Sequence, residues 1–424
     1  MLNKPVVRIL CLLGVSAWSV SGFTMSLEQA WKAAQQYNPS YQKAQIGVEV
    51  SQNALTANRS ALLPSLDASA GSNWSDSRSG STNSYNVNLS QTIWDSSLWA
   101  NLDQSQAQQV IAQLQLTQAY NQLAQELIHA YLEMARAQSD VALAQSKLDE
   151  GKKLLAMTEQ RYKAGRVKSI DVEDMRANHL SEKMALLTAQ TDLEKKRSSL
   201  QALTNQNPVR VAQVVMNIVA EPPMLVESQQ DWLNLAKNTS PELLAAIQKV
   251  SAKQHAKEAA KGGYFPKVTG TVGYSDDDRF SNGDTTAGIS VSIPIDINGS
   301  IRAKVDSAAL DVRNAEQEVR ETEIGLREKV QQQFVQIKHS GQLVRSACEL
   351  SEYRQNVLQG KQSLYQAGRV QASELIDAHN NVFTARNGLQ HNLYQYWSER
   401  VNLLQSAGKL DDDAISRISG ALSL

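Results

Sequence analysis

Cysteine is nearly missing from this chain, with two among 424 residues. Cys11 falls inside an N-terminal stretch that reads as a signal. That leaves Cys348 alone in the mature chain and excludes an internal disulfide. Aromatic residues make up only 6%, lean for a compact globule and ordinary for long helices rich in Ala, Gln and Leu. The net charge of −1 gives no reason to expect a nucleic-acid partner. The histidines, at 129, 179, 255, 339, 379 and 391, form no His-x-x-x-His or other close ligand pair, and no glycine-rich phosphate loop is present. Neither an enzyme, a metal site nor a cofactor is expected.

Long apolar runs are also lacking. After residue 22 none approaches the ~20 residues of a spanning helix, so any entry into a membrane would be as a β-barrel. Residues 1–22 themselves read as a signal peptide. Lys4 and Arg8 are basic, Ile9 to Val20 is mostly apolar, and small residues at Ser19, Ser21 and Gly22 place cleavage near Ser21 or Gly22. Cys11 comes too early to be a lipoprotein cysteine. Proline is scarce and unevenly placed: none lies between Pro64 and Pro208, and none follows Pro294. Those two spaces are where long helices are read.

What is present is duplicated. Tyr162-Lys-Ala-Gly-Arg-Val-Lys-Ser-Ile-Asp-Val172 and Tyr365-Gln-Ala-Gly-Arg-Val-Gln-Ala-Ser-Glu-Leu375 are versions of each other. Gly165 and Gly368, Arg166 and Arg369, and Val167 and Val370 keep one offset. Each stretch interrupts two helical patterns with a glycine where a chain reversal needs one. The correspondence extends to Asn38-Pro39 with Ser240-Pro241, to Leu63–Gly71 with Phe265–Gly273, to Asp103 with Asp306, and to Tyr131 with Phe334. The chain divides into a signal peptide at 1–22, repeat one at 23–220, a connector at 221–228 and repeat two at 229–424. Pro222 and Pro223 stop regular structure in the connector.

Each repeat opens with a helix, about 26–60 and about 230–260. A strand pair follows. Tyr85, Val87, Leu89, Gln91 and Ile93 alternate with Asn86, Asn88, Ser90 and Thr92; Ile289, Val291, Ile293 and Ile295 alternate with Ser290, Ser292 and Asp296. The partner strands lie at about 65–76 and 266–277. Strands of this length with one apolar and one small polar face suit a transmembrane barrel around water, or a soluble sheet with one wet face. Long helices come next. Tyr120, Leu127, Met134, Val141, Leu148 and Leu155 recur every seventh residue, as do Val305, Val312, Val319 and Leu326. Mostly small residues lie on the second seam position, at Leu123, Ala130, Ala137 and Ala144 and at Ile301, Ala308 and Ala315. The rest of the helical surface is Gln, Ser, Asn and Ala, which suits the wall of a water-filled tube.

Together these features resemble the TolC family of outer-membrane efflux and secretion channels, over nearly the whole mature chain. The residues carrying the resemblance are the two Tyr-x-x-Gly turns with Asp171 and Glu374 six positions beyond the glycine. The strand starts Leu63-Pro-Ser-Leu66 and Phe265-Pro-Lys-Val268 and the exits Gln91-Thr-Ile-Trp-Asp95 and Ser292-Ile-Pro-Ile-Asp296 belong to the same pattern. The resemblance implies an α+β membrane protein of duplicated helix–strand–strand–long-helix repeats. As a homotrimer it would form a twelve-stranded outer-membrane β-barrel continuous with a long periplasmic α-helical barrel, belted by Val209–Val219 and the terminal segments. Independently, four strands cannot close a barrel alone, since about eight are needed. The implied partners are outer-membrane lipid, a periplasmic adaptor and an inner-membrane transporter. By motif position, the tip that closes the periplasmic end and meets the adaptor comprises Tyr162, Gly165, Arg166, Val167, Tyr365, Gly368, Arg369 and Val370. The family has a basic residue two positions after the second glycine, latched to the first turn's carboxylate. Here that place is Val370; Arg369 is the substitute, and Asp171 supplies the carboxylate. Glu374 and Asp377 match inward-facing carboxylates that form the pore gate.

The expected function is a passive exit duct for efflux or type I secretion. The rival is a periplasmic coiled-coil adaptor or scaffold without a pore, which would show one hairpin and lipoyl-like β domains. This chain has two hairpins and four amphipathic strands.

Overall fold

The computed structural model describes residues 24–76, 80–214, 228–278 and 283–423. The expected signal peptide and nearly all of the connector lie outside the described residues. The first elements are β1 (Thr24–Met25), α1 (Leu27–Tyr37) and α2 (Pro39–Ser60). The one helix expected over about 26–60 is therefore two. Pro39 has no N–H and restricts Asn38 to extended backbone, where the Asn38 side chain accepts from the Tyr41 amide at 3.0 Å and caps α2. The same break at Ser240-Pro241 separates α5 from α6 further along the chain.

After α2 come β2 (Ser65–Ser75), β3 (Gly80–Trp94), α3 (Ser96–Lys163) and α4 (Ser169–Thr204). Two short strands, β4 (Arg210–Val211) and β5 (Gln213–Val214), follow. The order then recurs: α5 (Gln229–Thr239), α6 (Pro241–Gly262), β6 (Lys267–Asp277), β7 (Asp284–Ser292), α7 (Ser300–Gln366) and α8 (Ala372–Ser406). The chain ends on α9 (Asp412–Gly420) and β8 (Leu422–Ser423). The alternation read through Ile295 outruns β7, which stops before Pro294.

The four longer strands form one antiparallel sheet in the order β2-β3-β6-β7. Its register puts Leu66, Leu89, Val272 and Ala287 in one row and Ala68, Val87 and Tyr274 in the next. The opposite face carries Asp67, Ser69, Asn86, Asn88, Thr271, Gly273 and Thr286. The period-2 pattern thus becomes one apolar and one small polar face across all four strands. No core covers the apolar face; Leu66, Leu89, Val272, Ile289 and Val291 are all exposed. Among the described residues β2 and β7 each keep a free edge.

The two acidic strand exits start the long helices. Asp95 caps α3, its Oδ1 accepting from the Ser97 amide at 2.9 Å. Asp296 accepts from the amides of Ile301 and Arg302 at 3.1 and 2.9 Å, ahead of α7. α3 has 68 residues and α7 has 67, about 100 Å each at 1.5 Å per residue. Near the sheet the helices pack in the order α2, α3, α6, α7; toward the turns the order is α4, α3, α8, α7. The chain is four elements wide at each level. None of the heptad residues read on α3 and α7 is exposed, and Leu127, Met134, Val312 and Leu326 are buried.

The main core sits midway along α3, where both ends of the chain wrap it. β1 pairs with β4 in parallel, and β5 with β8 antiparallel. The Tyr131 hydroxyl donates to the Met25 carbonyl at 2.8 Å and accepts from the Ala212 amide at 2.9 Å. Burial pushes this phenol up to about 12. Asp412 accepts from Trp31 Nε1 at 2.8 Å and from the Tyr120 hydroxyl, docking α9 on α1 and α3.

Candidate functional site

At the ends of the two hairpins, the paired turns have the same backbone hydrogen bonds. The Gly165 amide donates to Tyr162 at 2.9 Å and Arg166 to Arg161 at 2.9 Å; Gly368 donates to Tyr365 at 3.0 Å and Arg369 to Leu364 at 2.9 Å. These are Schellman-type closures. Both glycines are left-handed, with φ of 70° and 73°. Gly165, Arg166, Gly368 and Arg369 form the exposed tip, while Val167 and Val370 are half-buried against a small core of Leu154, Met175, Leu358, Leu375 and Val382.

The matched tyrosines differ. Tyr162 is exposed and Tyr365 is buried. Tyr365's hydroxyl is 3.0 Å from Thr158 Oγ1, and Arg161 lies over its ring. Asp171 accepts from the Lys168 amide at 3.0 Å and caps α4. Within a single chain the structure does not join Asp171 to Arg369.

Glu374 and Asp377 are both exposed on one face of α8. They sit three residues apart, so one helical turn brings them together. Lys361 of α7, seven residues before the turn glycine, donates to Glu374. That hydrogen bond and the charge on Lys361 hold the Glu374 carboxyl below its ordinary range. Sequence reasoning missed Lys361, Thr158 and Arg161. Lys361 and Thr158 occupy equivalent places in the two repeats, but nothing in their identity reveals a partner across the hairpin.

Among the described residues no helix is long and apolar enough to cross a membrane, and no group of His, Cys, Asp and Glu could hold a metal ion. The amphipathic sheet with an uncovered apolar face, continuous with helical hairpins about 100 Å long, defines a channel-forming protein of the outer membrane with a periplasmic helical extension. The pattern of the family described as "Outer membrane efflux protein" matches residues 30–206 and 232–409, and the chain belongs to that family.

Similar proteins include "Outer membrane protein TolC" of Escherichia coli (strain K12), 23% identical over 99% of this chain and 90% of that protein. "Proteases secretion protein PrtF" of Dickeya chrysanthemi is 20% identical over 99% of this chain and 95% of that protein. The crystal structure of the CmeC outer membrane channel of Campylobacter jejuni has the same fold. It superposes with a TM-score of 0.78 at 17% identity, over 100% of this chain and 98% of that one. The protein is an outer-membrane exit duct for efflux or type I secretion.

Proposed function

We propose that three copies of this chain assemble into one duct: a twelve-stranded barrel in the outer membrane, continuous with a periplasmic α-barrel. The carrying observation is the pair of open edges. β2 and β7 have unpaired edges at the two sides of the sheet, and an exposed hydrophobic edge strand demands a partner. Lower down, α7 exposes Leu343, Leu350, Val357 and Leu364 at every seventh residue, and α4 exposes Leu180, Met184 and Leu187. Because the two sides differ, copies meet head to tail, and such contacts close only as a ring. The two repeats, 23–220 and 229–424 with a connector between, each contribute half of a protomer's wall.

The tip residues Tyr162, Gly165, Arg166, Val167, Tyr365, Gly368, Arg369 and Val370 meet the periplasmic adaptor, which couples the duct to an inner-membrane transporter. Arg369 reaches Asp171 of a neighbouring copy. Glu374 and Asp377 line the narrow opening as the gate, giving six carboxylates from three copies, and a ring of acidic side chains favours cations. The rival reading, an adaptor without a pore, leaves the uncovered apolar sheet unexplained.

The test is membrane fractionation with light scattering of the detergent-solubilised protein. Recovery in the outer membrane as a trimer is expected. A stable monomer without detergent contradicts the assembly.

A further inference from the structure

Directly behind the gate, three helices enclose a buried polar cluster that the exit function does not use. His379 follows Asp377 by two residues, about 200° round the helix, so it points the opposite way from the gate. Its side chain is 0% exposed. Its Nδ1 lies 3.4 Å from Oε1 of Glu182 on α4, whose side chain is 1% exposed. On the other side, its Nε2 lies 3.8 Å from Glu150 Oε2 of α3. His179 Nδ1 approaches the second Glu182 oxygen at 3.9 Å.

The Glu182 carboxylate is seated in a built notch. A Cβ at Gly151 of α3 would come within 1.9 Å of Glu182 Oε2. Glycine inside a helix is less favourable than alanine, and here its absent side chain makes the room. Asn178 donates to Glu182 Oε1 at 2.7 Å, and Asn380 donates to Asn178 at 3.2 Å. Glu182 Oε2 and both His379 nitrogens have no hydrogen-bond partner.

A buried carboxyl that carries its charge needs a partner of opposite sign. Among the described residues no lysine or arginine is paired with Glu182; the cations it meets there are the imidazoles of His379 and His179. On α8 itself, Arg386 is turned onto the Phe383 ring at 5.3 Å, and that ring meets His379 edge-on at 4.9 Å. The charge balance of the pocket therefore depends on the histidine proton.

We propose that the charged His379 imidazole and the Glu182 carboxylate form a buried latch that holds α8 against α4, and that losing the His379 proton releases it. The pair acts as a positioning device for the gate, and in that respect rests on the gate reading above. With the proton in place the pair is intact. Without it Glu182 loses the charge that faces it from α8, and the α8 segment bearing Glu374 and Asp377 loosens.

The test is single-channel recording of the full-length protein in planar bilayers between about pH 5.5 and 8, the range in which histidines change charge. Wild-type conductance is expected to rise with pH. His379→Gln and Glu182→Gln should both lose that step and remain at the high-pH level. A wild type without the step overturns the latch, as does a His379→Gln channel that keeps it. Glu374→Gln/Asp377→Asn separates the two readings. Retained cation preference in that variant defeats the gate alone; loss of the pH step in it, with the step intact in His379→Gln, defeats the latch alone. Should neither latch variant assemble, hydrogen exchange of the wild type decides. Protection over 372–382 should fall at the higher pH after correction for intrinsic rates, and unchanged protection rejects the proposal.

Discussion

The guanidinium of Arg161 lies over the ring of Tyr365, 4.8 Å from its centroid, and its Nη1 donates to the Gln366 carbonyl at 2.9 Å. One residue of the first tip thereby holds both the side chain and the backbone of the second. The Tyr365 hydroxyl completes the tie by meeting Thr158. The partly buried cation–π contact contributes about 0.5–1 kcal/mol and each hydrogen bond about 1 kcal/mol. Arg161→Ala and Tyr365→Phe are therefore expected to loosen the tip without unfolding the chain. Hydrogen exchange should show lost protection at 158–166 and 363–370, with the sheet unchanged. Equal protection in wild type and both variants would show that the tie is not what holds the tips together.

The turn glycines are constrained by backbone geometry. A Cβ at Gly165 meets nothing within 4 Å, and one at Gly368 meets only Arg161 Nη2 at 3.7 Å. The positive φ sets the cost: about 1–2 kcal/mol for an alanine, more for proline, whose φ is fixed near −65°. Proline would also delete the amide that closes each turn. Gly165→Pro and Gly368→Pro should abolish export while trimer yield and outer-membrane recovery persist. Normal export by the double variant would reject the turn as a working part.

Both glycines were legible in the sequence because a chain reversal after a long helix needs a left-handed residue. The seams were legible because a heptad repeat survives whatever the helix packs against. The two-faced sheet was legible through its period of two. Boundaries were less so: the Asn38-Pro39 break looked like the interior of one helix, since the apolar spacing continues across it. The unreadable part was the set of cross-hairpin pairs. Arg161 with Tyr365 and His379 with Glu182 depend on where the two hairpins approach each other, Lys361 with Glu374 on how α7 and α8 meet across their turn, and no local spacing encodes either.

Gly151 provides a size-exchange test of the notch beside it. Gly151→Ala should drive the new methyl into the Glu182 carboxylate and destabilise by about 1–3 kcal/mol, the usual cost of overpacking. In a Glu182→Ala background the clash disappears, and the same substitution should recover roughly 1 kcal/mol of helix propensity. Thermal unfolding of the four-member mutant cycle reads the sign change. Additive effects would mean that Gly151 is not there to admit Glu182.

At the proposed gate, Lys361 changes the charge that Glu374 and Asp377 alone would set. In that reading each chain brings both carboxylates to the opening, with Lys361 bonded to Glu374. The lysine cancels half of the negative charge. It also holds the Glu374 carboxyl low, so that Glu374 keeps its charge as the pH falls below the ordinary ~4.3 of a free glutamate. Replacing Lys361 with Met retains most of the stem and removes the cation. Two opposite changes follow. At neutral pH the Lys361→Met channel should be more cation-selective than wild type, read as a larger reversal potential under a salt gradient. On acidification it should lose that selectivity first, because the Glu374 carboxyl, freed from its partner and crowded by like charges, takes up protons at higher pH. The two selectivity curves should therefore cross. A reversal potential that Lys361→Met leaves unchanged at every pH would place Glu374 away from the conducting path.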